Sequence, residues 1–464
     1  MTLNSMWTPD LPTDGTPLFE QILAALERAV RDGGLKAGER LPPQRELART
    51  LGVSVGTVTR AYEEADRRGL TLGHVGRGTY IARAQDTDNA RASGPLIDLS
   101  MNVPPMVAAE RLLMEAWGKV RRRAEFAEAL NYGPIEGQPG YRRMVSTWLT
   151  DTAGVEAIDP SRIVITSGAQ AAMDLVFSTL CRAGDVVLVE ELTFSGMKAI
   201  AQYRGYSLAP VAMDEEGIIP DALAAAVKTT GARVLYTMPT LQNPTARTQS
   251  LARRNELIKV ARQVEMTLVE DDVYAAYVEH RDAPPPLVNL APEITYYISG
   301  LSKSLAPGLR IGFVAAPTAL LASHVAVGVR ASAHATQSMG LLLAQQVIEE
   351  GSAQQILKEN RRLLRARGAA LRAALNLPAA RLAVMSPHVW LPASYAEASR
   401  LEAQLLSENV RVTGISDPVL DPARGCGLRF CVGTTRRDAD FERAVSAIQR
   451  VVSQPQDLSV RAAV

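Results

Sequence analysis

Hydrophobic residues recur with two different periods along this chain, and the change of period divides it. Leu18, Ile22, Leu23, Leu26 and Val30 fall at helical spacing, which predicts a first helix ended by Gly33-Gly34. Leu41-Pro42-Pro43 forms a rigid turn, and Gln44 to Leu51 reads as a second helix opening directly after proline. Gly52 closes that helix. Ser54 is a good N-cap for a third helix, whose inner face is expected to carry Val55, Val58 and Tyr62. After Gly69 two short extended pieces surround Gly73-His74-Val75-Gly76-Arg77-Gly78-Thr79-Tyr80-Ile81, a glycine-rich hairpin that reads as a wing. Residues 1–16 are polar and Pro-rich and read as a flexible arm. Residues 84–95 carry almost no core-forming side chains and read as a linker.

From Leu96 the period changes. Short, continuous, β-branched runs at Ile163–Ile165, Val186–Val189, Val234–Tyr236, Thr267–Glu270 and Tyr296–Ile298 predict strands of a sheet buried on both faces. Helical patterns between them predict a doubly wound α/β domain over 96–464. Residues 339–375 read as helical. Val389–Leu391 and Leu428–Phe430 read as strands of a smaller α+β subdomain.

Composition changes this picture little, but the distribution of charge changes it more. The chain has 464 residues and a formal net charge of +1, with room for two or three domains. Between Arg40 and Arg83 eight arginines face four acids, a local excess suited to phosphates. Three cysteines without a CxxC pair suit buried thiols in a reducing cytoplasm. Five histidines without metal-ligand spacing predict no metal site. The N-terminus lacks the order of a signal peptide, and no run is apolar enough to span a membrane.

The candidate chemistry centres on Ser302-Lys303-Ser304-Leu305-Ala306-Pro307-Gly308-Leu309-Arg310. A lysine after a short apolar strand can form a Schiff base with an aldehyde cofactor. An arginine seven residues on can grip that cofactor's phosphate with a planar fork. Ser167-Gly168-Ala169-Gln170 follows a strand and opens a helix, which offers backbone N–H groups to a phosphate.

The segment from Pro42 to Tyr62, with the Gly-Arg-Gly-Thr wing, resembles the GntR family of winged helix-turn-helix regulators. The resemblance implies that residues 17–83 bind double-stranded operator DNA. Ser54, Thr57 and Arg60 would face outward from the recognition helix, Arg45 would stand near the backbone or a guanine, and Arg77 at the wing tip near a minor groove.

The remainder, from about Ile97 to about Val451, resembles the fold-type I aminotransferases that use pyridoxal 5'-phosphate. The two parts together resemble the MocR/GabR regulators. The resemblance gives Lys303 as the Schiff-base lysine, with Arg310, Ser302, Gly168, Ala169 and Gln170 for the phosphate. It places Asp271 (or Asp272) beside the pyridine nitrogen, Tyr274 and Asn243 at the phenolic oxygen and Phe194 against the ring. Tyr132 would reach the phosphate of a partner subunit, which implies a homodimer suited to two DNA half-sites. The length of the linker allows that dimer to be domain-swapped. Arg429 would hold the carboxylate of an effector. Asn102 stands where the family has a small residue at the substrate, and Ser299 lies one residue off the usual phosphate serine. The function implied is a transcription factor that senses a small amine or amino acid by aldimine exchange at Lys303. Two alternatives stand beside it: an active aminotransferase carrying a DNA-binding head, and a sensor of pyridoxal phosphate itself.

Overall fold

The computed structural model describes residues 7–11, 17–36, 39–67, 70–74, 78–81, 95–279, 281–378, 382–421 and 425–453. The chain divides into two compact units, Met1–Pro95 and Leu96–Val464. Most of the arm, the linker residues 84–94 and the wing tip with Arg77 lie outside the described residues.

The first unit packs α1 (Leu18–Arg31), α2 (Gln44–Leu51) and α3 (Val55–Arg67) around Ile22, Leu26, Leu47, Val58 and Tyr62. Gly33 and Gly52 take positive φ and end α1 and α2, as C-terminal glycines do. The Tyr62 hydroxyl donates to Pro42 O at 3.0 Å and fixes the Pro-Pro turn on α3. Strands β1 (Thr71–His74) and β2 (Gly78–Ile81) pair antiparallel, and Leu41 N donates to Thr79 O at 2.8 Å. Val55 departs from expectation. It is 44% exposed at the first position of α3, so Val58, Ala61, Tyr62 and Ala65 form the inner face.

The second unit is built on a seven-stranded sheet. Its strands are β4 (Ile163–Thr166), β5 (Val186–Glu190), β6 (Ser207–Val211), β7 (Val234–Thr237), β8 (Thr267–Asp271), β9 (Thr295–Gly300) and β10 (Gly312–Ala315). The order is β4-β10-β9-β8-β7-β5-β6. All neighbours are parallel except β10, which runs against both β9 and β4, so the sheet is mixed. Every residue of β4, β7, β9 and β10 is buried, which explains their unbroken apolar runs.

Ahead of this sheet β3 (Ile97–Asp98) pairs parallel with β12 (Val410–Arg411). β11 (His388–Pro392) pairs antiparallel with β13 (Gly427–Cys431) in the smaller subdomain. The helical region expected over 339–375 is two helices, Ser338–Glu349 and Ser352–Ala374. Gly351 breaks it with a φ of 82°. No described helix is long and apolar enough to cross a membrane.

Candidate functional site

In the parallel part of the sheet the strands end on one side, where loops can converge without crossing strands. A cavity of about 310 Å³ opens there, lined among others by Lys303, Arg310, Asp271, Tyr274, Asn243 and Arg429. Lys303 sits on a single helical turn, Leu301–Ser304, directly after β9. Its Nζ donates to the backbone carbonyl of Asn102. Burial pushes the amine down to about 8, and Arg429 and Arg310 add to the effect. An amine so placed is largely neutral only slightly above physiological pH, as a nucleophile must be.

Asp271 closes β8. Strand alternation sends it and Asp272 to opposite sides. Asp271 lines the cavity, whereas Asp272 accepts from Tyr297 at 3.1 Å and feels the buried Arg254. The Tyr236 hydroxyl donates to Asp271 Oδ2 at 2.8 Å, and Oδ1 is buried with no partner. Burial raises this carboxyl to about 6, against the lowering pull of Tyr236, the Val273 backbone N–H and Lys303.

Arg310 Nη2 donates to Ser167 O at 3.1 Å. A Cβ on Gly168, whose φ is 96°, would stand 2.7 Å from that same nitrogen, so only glycine lets the guanidinium lie across the loop. Ala169 and Gln170 begin the helix Ala169–Leu180 and line the cavity, although the Gln170 amide is held by Gly196 O at 2.9 Å. Ser302 also lines the cavity, and its hydroxyl is buried and unpartnered. Ser299 is turned away and donates to Asp272 O at 3.2 Å. Phe194 lines the cavity beside Gly196.

A hydrogen-bonded chain crosses the other side of the cavity. Arg429 donates through Nη1 to Asn243 Oδ1 at 2.6 Å, through Nε to Thr413 Oγ1 at 3.1 Å and through Nη2 to Ser100 O at 3.2 Å. Asn243 Nδ2 faces the Tyr274 hydroxyl at 3.4 Å. Asn102 Nδ2 reaches the same hydroxyl at 2.9 Å and His388 Nδ1 at 2.9 Å. Tyr132 is 81% exposed, packs edge-on against His334 and lies outside the cavity.

The pocket residues fit pyridoxal phosphate on three counts: an unpartnered carboxylate oxygen for a ring cation, an unpartnered serine hydroxyl beside the arginine and glycine cradle, and a buried amine of lowered pKa. Tyr236 and His388 were not among the residues singled out from sequence. Tyr236 lies inside an ordinary apolar strand and His388 opens another, so no local pattern distinguishes them.

In the head, Ser54 caps α3, accepting from Thr57 N at 3.1 Å, and its hydroxyl pairs with that of Thr57 at 2.8 Å. Arg45 and Arg60 are exposed, and the Arg60 guanidinium lies 3.8 Å from the centre of the Phe19 ring. Two hydroxyls expected to face DNA are thus also engaged in shaping the turn.

Residues 94–448 match the family described as aminotransferase class I and II. The chain belongs to that family. Residues 18–81 match the bacterial regulatory proteins of the gntR family, which makes the head a DNA-binding module. Among similar proteins, the uncharacterized HTH-type transcriptional regulator YdeF of Bacillus subtilis (strain 168) is 28% identical over 67% of each chain. The probable rhizopine catabolism regulatory protein MocR of Rhizobium meliloti is 26% identical over 66% of each. The crystal structure of LysN, the alpha-aminoadipate aminotransferase of Thermus thermophilus complexed with N-(5'-phosphopyridoxyl)-L-leucine, matches with a TM-score of 0.68 and 26% identity. That match covers 77% of this chain and 92% of LysN. Head and pocket domain together give this chain the make-up of a MocR-type regulator, and its cofactor is pyridoxal phosphate.

Proposed function

We propose that this DNA-binding regulator senses a small amine or amino acid at its pyridoxal-phosphate pocket. One observation supports the sensing most. Ser100 O accepts from both Arg429 and Thr413, and Asn102 O accepts from Lys303. The segment 96–102 follows directly on Pro95, the last residue of the first unit. The two side chains assigned to effector and cofactor therefore grip the stretch of backbone that leads out of the linker. An occupant that draws Arg429 to its carboxylate and changes the bonding of Lys303 removes donors from that stretch. The head's DNA affinity then follows the pocket's state.

Lys303, Arg310, Ser302 and the 168–170 loop would hold the aldehyde and phosphate ends of the cofactor. Asp271 would hold its ring nitrogen, Tyr274 and Asn243 its phenolic oxygen, and Phe194 would lie against the ring. When bound, pyridoxal phosphate supplies an aldehyde that condenses with amines and an electron-poor ring. Tyr132 from each subunit of a homodimer would complete the partner's site, which accounts for its exposure in the single chain.

A second reading, slow aminotransferase turnover, draws on Lys303: an amine pushed down to about 8 can also accept a proton near neutral pH. Titrating the loaded protein with amines and following its visible absorption separates the two. A sensor's band moves to a new position and stays there, whereas an enzyme's band collapses and is restored by a keto acid.

A further inference from the structure

The Tyr274 hydroxyl is the meeting point of a hydrogen-bonded chain in which every direction can be assigned. Gln242 O, 3.0 Å from His388 Nε2, can only accept, so Nε2 carries the imidazole proton and Nδ1 presents its lone pair. Asn102 Nδ2 fills that lone pair with one hydrogen at 2.9 Å and gives its other to Tyr274 at 2.9 Å. Reversing the Asn102 amide would set its oxygen against the Nδ1 lone pair and cost both bonds, so this orientation is favoured even though it leaves Asn102 Oδ1 buried without a partner. Arg429 likewise fixes Asn243 by donating to its Oδ1, which turns Nδ2 towards Tyr274 at 3.4 Å. Tyr274 oxygen thus accepts from two amides, and its own hydrogen remains for an acceptor in the cavity.

We propose that Asn102 and His388 are positioning residues that hold Tyr274 as a hydrogen-bond donor to the cofactor's phenolic oxygen. The proposal rests on the reading that pyridoxal phosphate occupies this pocket. An asparagine at 102 is required in that role, because a glycine or alanine has no amide to hold the hydroxyl. His388 is required because it decides which end of that amide faces Tyr274. The imidazole suits this role. Burial, with Arg429 and Lys303 nearby, pushes it down to about 3, so it stays neutral and keeps its lone pair across the physiological range. The other titratable and charged groups around Tyr274 and the cavity are Asp271, Lys303, Arg310, Arg429 and Cys431, with Tyr277 stacked on the Tyr274 ring and Tyr236 bonded to Asp271.

The test is the pH midpoint of the visible absorption band of the protein loaded with pyridoxal phosphate. A donor on the phenolic oxygen stabilises its negative charge and favours the less protonated form. Asn102→Ala and His388→Leu should therefore each raise the midpoint, by about one pH unit for Asn102→Ala. His388→Gln, which can accept from Asn102 and donate to Gln242 O, should restore it. In a Tyr274→Phe background neither Asn102→Ala nor His388→Leu should shift the midpoint further. An unchanged midpoint in both single variants, or equal shifts with and without the Tyr274 hydroxyl, would overturn the positioning role. Absence of any visible band in the loaded wild-type protein would overturn the cofactor reading itself, and the positioning role with it.

Discussion

The hydroxyl of Tyr236 donates to Oδ2 of Asp271 at 2.8 Å and leaves Oδ1 of the same carboxylate buried without a partner. An acceptor held on one side and open on the other, inside a cavity that also holds a buried amine, is arranged for a cationic N–H. Asp271→Asn should therefore weaken pyridoxal phosphate binding by roughly ten- to a hundredfold, the loss expected of one charge-assisted hydrogen bond. Tyr236→Phe should cost only a few-fold. Fluorescence titration of the apo-protein with the cofactor measures both. Equal affinity for wild type and Asp271→Asn would remove Asp271 from the site.

Lys303 offers a pH test. Its amine is neutral above a pKa of about 8, against about 10.4 for an exposed lysine. Only the neutral form attacks an aldehyde, so the rate of cofactor uptake should rise with pH through a midpoint near 8 and level off above it. Stopped-flow absorbance gives the profile. A rate still rising steeply above about pH 9.5 would show that the lysine is not desolvated in the working protein.

The head gives a prediction about salt. Removing one phosphate-binding side chain should reduce the slope of log affinity against log salt by about 0.9. Arg45→Ala and Arg60→Ala should each weaken binding to double-stranded DNA and lower the slope by that amount. Because Arg60 also lies over Phe19, Arg60→Ala should cost the head about 0.5–1 kcal/mol of stability as well. Phe19→Leu removes the ring and keeps the charge, so it should leave the slope unchanged. Fluorescence anisotropy across a salt series checks all three, and an unchanged slope in Arg45→Ala and Arg60→Ala would move the DNA surface elsewhere.

Much of this architecture is legible in the sequence where local pattern and tertiary role coincide. The runs at 163–165, 186–189, 234–236, 267–270 and 296–298 are strands because a strand covered on both faces takes apolar side chains at most positions, the buried Glu270 being an exception held by the Leu287 and Val288 backbone N–H groups. Ser207–Val211 carries no such signal: it is an edge strand, partly covered, and tolerates Pro210. Gly312–Ala315 has only Phe313 and Val314 as large apolar residues between a glycine and an alanine, and its direction depends on where the chain returns after Arg310. In the pocket, Lys303, Arg310 and Gly168 sit in stretches whose spacing carries their chemistry. The spacing of three to Tyr274 favours Asp271 over Asp272, and the pleat of β8 turns Asp271 to the cavity. His388 and Tyr236 act through partners 146 and 35 residues away in sequence, a relation that no local spacing records.

Whether the pocket's occupant sets DNA affinity can be read in one titration. Protein loaded with pyridoxal phosphate is titrated with an amino acid that shifts its visible band, while anisotropy of a labelled, selected DNA duplex is followed in the same cuvette. Absorbance and DNA affinity should change with one midpoint. Arg429→Ala should move both midpoints together to higher effector concentration, and Lys303→Ala should abolish the starting band of the loaded protein while leaving some DNA binding. A band that responds fully while DNA affinity stays constant would contradict sensing and leave an aminotransferase joined to an independent DNA-binding head.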